Sequence, residues 1–340
     1  MTRTAFRSVL PLLGSLFALY FIWGSTYFVI RVGVESWPPL MMAGLRFFIA
    51  GCIMFTFLLL RGYQFPTLKQ WLAAGAMGIL LLAIGNGLVT VAEHMDVPSG
   101  IAAVMVATVP LFTLCFSRLW GMPNSRLEWT GVAIGLFGIV LLNTGSNLGG
   151  NPWGAVLILI ASLSWAFGSV LSARLPLPAG VMSGAAQMIV AGVVLLATSY
   201  LSGERLTEMP SLRGFLAVGY LMIFGSMIAI SAYMYLLKTV RPAIATSYAY
   251  VNPMVAVALG ISFGGEWLSP VEWTALVVIL CAVLLVTLGK FVFGKTGFYS
   301  RGRRRLRLWA GRPNWLFKFK FKFKSKFKTV GVGPHRPEGA

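Results

Sequence analysis

The chain has 340 residues, of which 57% are hydrophobic and 11% charged, against about 25% charged in a typical soluble domain. That composition excludes a soluble globular fold, which needs far more charge to cover its surface. The net charge of +19 invites a nucleic-acid reading, but residues 290–340 hold 15 of the 28 Lys and Arg against one acid, so the charge belongs to the tail and not to the body.

A helix needs about 20 mostly apolar residues to cross the hydrocarbon of a bilayer. The first such run, 10–30, follows Arg3 and Arg7. It is too long for a signal-peptide core and lacks a small-x-small cleavage site, so it reads as a span that stays. Trp37-Pro38-Pro39 separates it from a run at 40–60, and further runs follow at 71–91 and 100–119. Beyond Pro123-Asn124-Ser125-Arg126 comes 128–145, where Gly131-x-x-x-Gly135 and Gly138 superficially suggest a phosphate loop. With no strand before them, these glycines read as close helix packing. The Gly- and Asn-rich segment 143–151 is a linker, followed by runs at 152–171, 180–201, 214–237, 243–263 and 271–292. Barrel strands would be half as long and alternate in polarity. The expected fold is an all-α polytopic membrane protein with ten transmembrane helices. In the tail, Arg301, Arg303, Arg304, Arg305 and Arg307 precede Phe-Lys alternation from Phe317 to Lys324. A polybasic segment can adhere to anionic lipid, but the abrupt change of composition favours a disordered segment with no role of its own.

Loop charge orients the spans, because cytoplasmic loops carry an excess of Lys and Arg. With the N-terminus inside, that side holds Arg3, Arg7, Arg61, Lys69, Arg118, Arg126, Arg174, Lys238 and Arg241. The other side holds only Arg31, Arg205 and Arg213, together with Glu35, Glu93, Asp96, Glu204, Glu208 and Glu266. An even span count places both termini in the cytoplasm.

The chain also repeats itself at a shift of 143–144 residues. Glu128-Trp129-Thr130 recurs as Glu272-Trp273-Thr274, Pro98 matches Pro242, and Pro110 matches Pro253. Trp23-Gly24-Ser25 has a looser echo in Trp165-Ala166-Phe167-Gly168-Ser169. Each half holds five spans, an odd number, so the second must cross the membrane the opposite way. Such inverted repeats typify alternating-access transporters. The expected domains are a first repeat at 1–145, a second at 146–293 and the tail at 294–340.

Chemistry-bearing clusters are scarce. Cys52, Cys115 and Cys281 each sit in an apolar run, and His94 and His335 have no partner motif. That excludes a disulfide framework and any ordinary zinc spacing. No paired carboxylates, nucleophile elbow or Walker motif is present, so no enzyme activity, metal or other cofactor is expected and ATP hydrolysis does not drive this chain.

Individual residues carry two readings each. Pro110 and Pro253 free the carbonyls of Val106 and Ala249, either as structural kinks or as the lining of a wet cavity. Arg46 lies near the start of span 2, either snorkelling to the outer interface or partnered at the outer mouth, where Glu93 is its best partner by side and depth. Glu93 is close to a span interior and is a proton-sensitive candidate, or else an interfacial acid. Asn86, Gln187 and Asn252 serve helix–helix hydrogen bonding or a pathway, and Asn252 beside Pro253, with Tyr248 and Tyr250 just before it, makes the stronger pathway case. Trp23 and Trp165 lie near midspan, away from the interfacial belt, as packing or as a cavity wall.

Trp23-Gly24-Ser25-Thr26 in span 1, Arg46-Phe47 in span 2, the prolines of spans 4 and 9, and Gly265-Glu266 after span 9 resemble the drug/metabolite transporter superfamily and its EamA-type repeats. The resemblance covers roughly residues 8–290 and stops at the tail. It implies a central cavity between spans 1, 3, 4, 6, 8 and 9, with Trp23, Asn86, Trp165, Tyr233, Tyr248 and Asn252 as lining candidates. It also implies a secondary transporter of the bacterial inner membrane, exporting small organic metabolites, amino acids or drugs. A non-transporting membrane subunit or an intramembrane enzyme is the alternative. The expected partners are a small organic solute and the bilayer, with no nucleic acid, and a homodimer is left open. Reporter fusions or cysteine labelling at 62–69, 120–126 and the tail should report the cytoplasm, and 93–98, 144–151 and 264–270 the opposite side. A C-terminus found outside would overturn both the orientation and the span count.

Overall fold

Hydrophobic residues on every face of a helix leave it only two environments, a large core or lipid, and this chain uses both. The computed structural model describes residues 11–119, 121, 125–145, 152–239 and 248–293. Arg3, Arg7, Arg241, Pro242, most of the linker and the whole tail lie outside the described residues, as do the side chains of Lys238 and Tyr250. Contacts divide the chain into one unit of 1–293 and a second of 294–340, and only the first is described.

Among the described residues the helical runs are taken in chain order. They are α1 (Pro11–Val34), α2 (Pro39–Leu60), α3 (Leu68–His94), α4 (Ser99–Leu119), α5 (Arg126–Asn143), α6 (Pro152–Ser172), α7 (Val181–Leu201), α8 (212–239), α9 (Tyr248–Phe263) and α10 (Pro270–Phe293). No strand occurs among the described residues. Seven of the helices, α1–α4 and α6–α8, are long and apolar enough to cross a membrane by length and composition, and α9 and α10 contribute shorter apolar stretches. Large side chains such as Phe57, Leu60, Phe137, Val140 and Val277 stand exposed on the outside, as a lipid-facing surface requires.

Equivalent helices of the two halves pack on each other. Gly44 lies against Leu196, Gly51 against Ile189, and Gly192 against Phe48, so α2 and α7 run antiparallel with their backbones in close approach. Gly135 lies against Ala282, Gly138 against Ile279 and Gly145 against Glu272, which makes α5 and α10 a second antiparallel pair. Lipid tails are as apolar as leucine, so small residues that let backbones approach supply the packing. Gly135 and Gly138 do this in α5.

The repeated Glu-Trp-Thr has a structural meaning. Ser125 accepts from the Glu128 nitrogen while the Glu128 carboxylate accepts from the Ser125 nitrogen, a capping box that starts α5. Ser269 and Glu272 repeat the box at the start of α10. Each box satisfies helix-end donors that have no intrahelical partner. Thr130 and Thr274 each donate to the carbonyl four residues back, Arg126 and Pro270.

The two repeated prolines diverge. Pro253 is inside α9, as expected. Pro110 is not in mid-helix, because α4 breaks at Ala107-Thr108 into Ser99–Val106 and Val109–Leu119. Pro110 thereby sits in the first turn of the second piece, where its missing N–H costs nothing. Thr108 ties the break by donating to the Met105 carbonyl.

Three helices contain wide π turns, at Ala18–Trp23 in α1, Gly78–Asn86 in α3 and Leu221–Ile228 in α8. The latter two start 143 residues apart, at Gly78 and Leu221, in register with the sequence repeat.

A methyl group on Gly192 would lie 2.5 Å from the Phe48 nitrogen and 2.6 Å from its Cα. Backbone cannot step aside, so Gly192→Ala should lower stability by about 1–3 kcal/mol, measured by thermal unfolding in detergent. Gly219, with open space around it, is the control position and should tolerate alanine.

Candidate functional site

Trp23 closes the π stretch of α1, and its indole Nε1 donates to the Gly225 carbonyl inside the π stretch of α8 at 3.1 Å. Its ring meets Tyr248 of α9 at a centroid distance of 5.1 Å, Tyr233 of α8 at 5.3 Å and Trp165 of α6 at 6.5 Å. Tyr233 and Tyr248 are themselves 6.0 Å apart, edge to face. Four lining candidates from four helices thus converge into one aromatic cluster. Trp23 is the hub, in ring contact with each of the other three.

Asn252 is brought to the same place but faces α1. In the orientation that satisfies its neighbours, its amide nitrogen donates to the carbonyls of Leu19 at 3.1 Å, Tyr20 at 3.2 Å and Tyr248 at 3.1 Å. A π turn re-registers the helix's own hydrogen bonds, and the carbonyls within each π stretch also take a side-chain donor from a neighbouring helix. Asn252 serves α1 in this way, Trp23 serves α8, and Ser164 serves α3 by donating to the Leu80 carbonyl at 2.7 Å. Ser164 was not legible as a site residue in the sequence, although its position beside Trp165 mirrors the place of Trp23 in α1.

Asn86 closes the π stretch of α3 and accepts a hydrogen bond from Arg46. Arg46 is buried and its guanidinium lies 4.4 Å from the Phe47 ring, so it does not snorkel outward. The expected Arg46–Glu93 partnership is replaced by Arg46–Asn86, because Asn86 lies about two turns deeper on α3 than Glu93 and meets Arg46 there. Glu93 is fully buried, and neither of its carboxylate oxygens has a hydrogen-bond partner. Gln187 bonds within its own helix, donating to Ser183 at 2.8 Å.

The Gly265-Glu266 pair acts at the helix ends. Gly265 has a φ of +63°, a left-handed conformation that glycine adopts without strain. The turn brings the Glu266 carboxylate onto the first amides of α4, where it accepts from Ser99 at 2.7 Å and Gly100 at 3.1 Å. A second Gly-Glu pair was missed in the sequence. Gly203 has a φ of +83°, and Glu204 accepts from Leu40 at 3.1 Å and Met41 at 2.9 Å at the start of α2. Both carboxylates come from the second half and cap a helix of the first half, where the dipole favours negative charge.

A groove of about 420 Å³ opens between α1, α8 and α9, with Phe17, Phe21, Phe224 and Leu259 among its apolar walls and the Ser25–Tyr220 hydroxyl pair, 2.8 Å apart, on its floor. None of the sequence candidates lines it. The related contact of α6 with α3 is tighter, with Gly168 against Leu80 and Met77, and Gly85 against Trp165.

A helical body crossed by internally satisfied wide turns, with aromatic side chains gathered between its halves, is the construction of a membrane transporter. Comparison with known families agrees, since the EamA-like transporter family matches residues 12–144 and again 152–288. The chain belongs to that family, and it is a transporter and not an enzyme. It is 67% identical over 288 residues to the inner membrane transporter YedA of Escherichia coli strain K12, covering 85% of this chain and 94% of that one. Protein PecM of Dickeya dadantii is 28% identical across 78% of this chain and 88% of its own length. A probable amino-acid metabolite efflux pump of Escherichia coli strain K12 is 27% identical over 165 residues, 45% of this chain and half of that one. One solved crystal structure superposes with a TM-score of 0.59, covering 81% of this chain and 96% of that one. At 21% identity it shares the fold alone.

Replacing Asn252 by leucine removes the donor to α1 in a place water does not reach. Unsatisfied buried carbonyls cost about 1–3 kcal/mol, so Asn252→Leu should lose transport together with thermal stability. A variant with full stability and no transport would instead place Asn252 on the solute itself.

Proposed function

We propose that the chain is a ten-span secondary transporter of the bacterial inner membrane that exports a small organic solute by alternating access. Its two repeats, 1–145 and 146–293, are inverted with respect to each other, and both termini and the tail of 294–340 lie in the cytoplasm. The antiparallel contact of α2 with α7 and of α5 with α10 supports the inversion. Equivalent helices related by an axis in the membrane plane run in opposite senses. On this reading α5, α9 and α10 cross the membrane with the seven longer helices.

The observation that carries the reading is the convergence of Trp23, Trp165, Tyr233 and Tyr248 from both halves. Trp23 and Trp165 come from matching helices of the two repeats, and Tyr233 and Tyr248 close the group. The rings in contact represent a closed pathway, and rocking of one half against the other would part them around a solute. Asn86 and Arg46 brace the first half of the pathway, Asn252, Pro110 and Pro253 shape its α4 and α9 walls, and Glu93 sits at its mouth as the proton-sensitive candidate. Aromatic and amide groups without a charge at the cluster suit an amphipathic or zwitterionic organic solute. The name of the amino-acid efflux relative makes amino-acid metabolites the first class to assay.

The test is a metabolite-wide comparison of export from cells overexpressing the chain and cells lacking it. Solutes so found should be exported at least several-fold more slowly by Trp23→Ala and Tyr248→Ala at matched protein levels. Leu201→Ala, at the exposed α7 end, should leave export near normal. Unchanged export in both aromatic variants would remove the cluster from the pathway.

A further inference from the structure

We infer that Glu93 is the site at which this transporter binds and releases a coupling proton. The inference deepens the alternating-access reading above and rests on it for the word coupling, while the proton site itself rests on geometry. Glu93 lies in the last turn of α3, is completely buried, and has no donor on either carboxylate oxygen. An ionisable group inside a membrane protein is expensive to keep and marks a functional site by default.

The nearby cations act on Glu93 without bonding its carboxylate. Arg46 of α2 donates to Asn86, and its Nε has no hydrogen-bond partner. Arg31 of α1 pairs with Asp96 at 2.8 Å through Nη2 and gives Nη1 to the backbone carbonyl of Glu93, not to its carboxylate. The charged and ionisable groups that act on Glu93 are Tyr27 and Arg31 of α1, Arg46 of α2, and Glu266 of the α9–α10 connection. Glu266 adds a like charge, held in place by Ser99 and Gly100. Packed against the end of α3, α6 has no ionisable side chain, and α4 has only Cys115 and Arg118, both toward its opposite end. On the neighbouring positions, His94 turns to the Val34 carbonyl and Asp96 to Arg31.

A carboxylate sealed from water without a bonded donor carries a heavy penalty, whereas the neutral acid is tolerated. The closed face therefore accommodates Glu93 with its proton on. Opening that face admits water, and the proton passes from a carboxyl oxygen to a water molecule. One O–H bond breaks on Glu93 as one forms on water, and no electrons change hands. Proton release and opening are then two descriptions of one equilibrium. Raising the pH favours the open face, and lowering it favours the closed one.

The experiment uses the full chain in lipid nanodiscs, with the proton as ligand and no solute. Infrared difference spectra between mildly acidic and mildly alkaline buffer should show a protonated-carboxyl band that is lost as pH rises. The band should be absent from Glu93→Gln and kept in Glu266→Gln. Val97, buried in the connection after α3, reports opening when changed to cysteine in a chain whose native Cys52, Cys115 and Cys281 are serine. Its labelling by a water-soluble maleimide should rise several-fold over the same pH range, and stay low and flat when Glu93→Gln is added. An unchanged band in Glu93→Gln, or the same pH response of labelling with and without it, overturns the proposal. If Glu93→Gln does not fold, Glu93→Asp decides. A shifted titration midpoint supports the site, and an identical one overturns it. Because no solute is present, failure here leaves the transport reading standing, and failure to export any solute leaves the infrared and labelling results intact.

Discussion

Backbone carbonyls that find no water are the constraint on which this structure depends. A straight α-helix satisfies its own carbonyls, but α1, α3 and α8 each contain a wide turn. Carbonyls within these turns also accept side-chain hydrogen bonds from neighbouring helices. They are met by Asn252 from α9, Ser164 from α6 and Trp23 from α1. Each of these bonds joins two helices near the middle of the body, so the need to satisfy backbone groups also fixes which helices lie together. The aromatic cluster follows, because Trp23 must approach α8 to reach Gly225, and Tyr233 and Tyr248 close around it.

The periphery is held by different means. The α2–α7 and α5–α10 pairs rest on close backbone contact at glycines, and the two capping boxes start α5 and α10 in matching fashion. Such interfaces resist deformation, since a tight backbone contact has no side chain to rearrange. Packing elsewhere is less even, with α6 tight against α3 while α1, α8 and α9 leave a surface groove between them. At the helix ends, Glu204 and Glu266 tie the second half to α2 and α4 of the first, which joins the halves by hydrogen bonds as well as by packing.

Much of this was present in the order of residues. Continuous apolar runs of about 20 residues pointed to membrane helices, and seven of the described helices are long and apolar enough to cross a bilayer. The repeats of Glu-Trp-Thr and of proline set the two halves, and Trp23, Trp165, Tyr233 and Tyr248 were among the six lining candidates that the family resemblance implied. What the sequence could not decide was partnership. Arg46 and Glu93 are matched by sign and depth, yet Arg46 bonds Asn86 and Glu93 is left without a donor. Asn252 stands beside a proline in a pathway-like setting, yet its amide is spent on α1. Pro110 and Pro253 are equivalent in the repeat, yet one breaks a helix and the other lies within one. Local composition and periodicity fix the length and character of each helix because those depend on neighbours along the chain. The direction in which a side chain's polar atoms point depends on the rotation and depth of another helix, and that is set only when all the helices have packed.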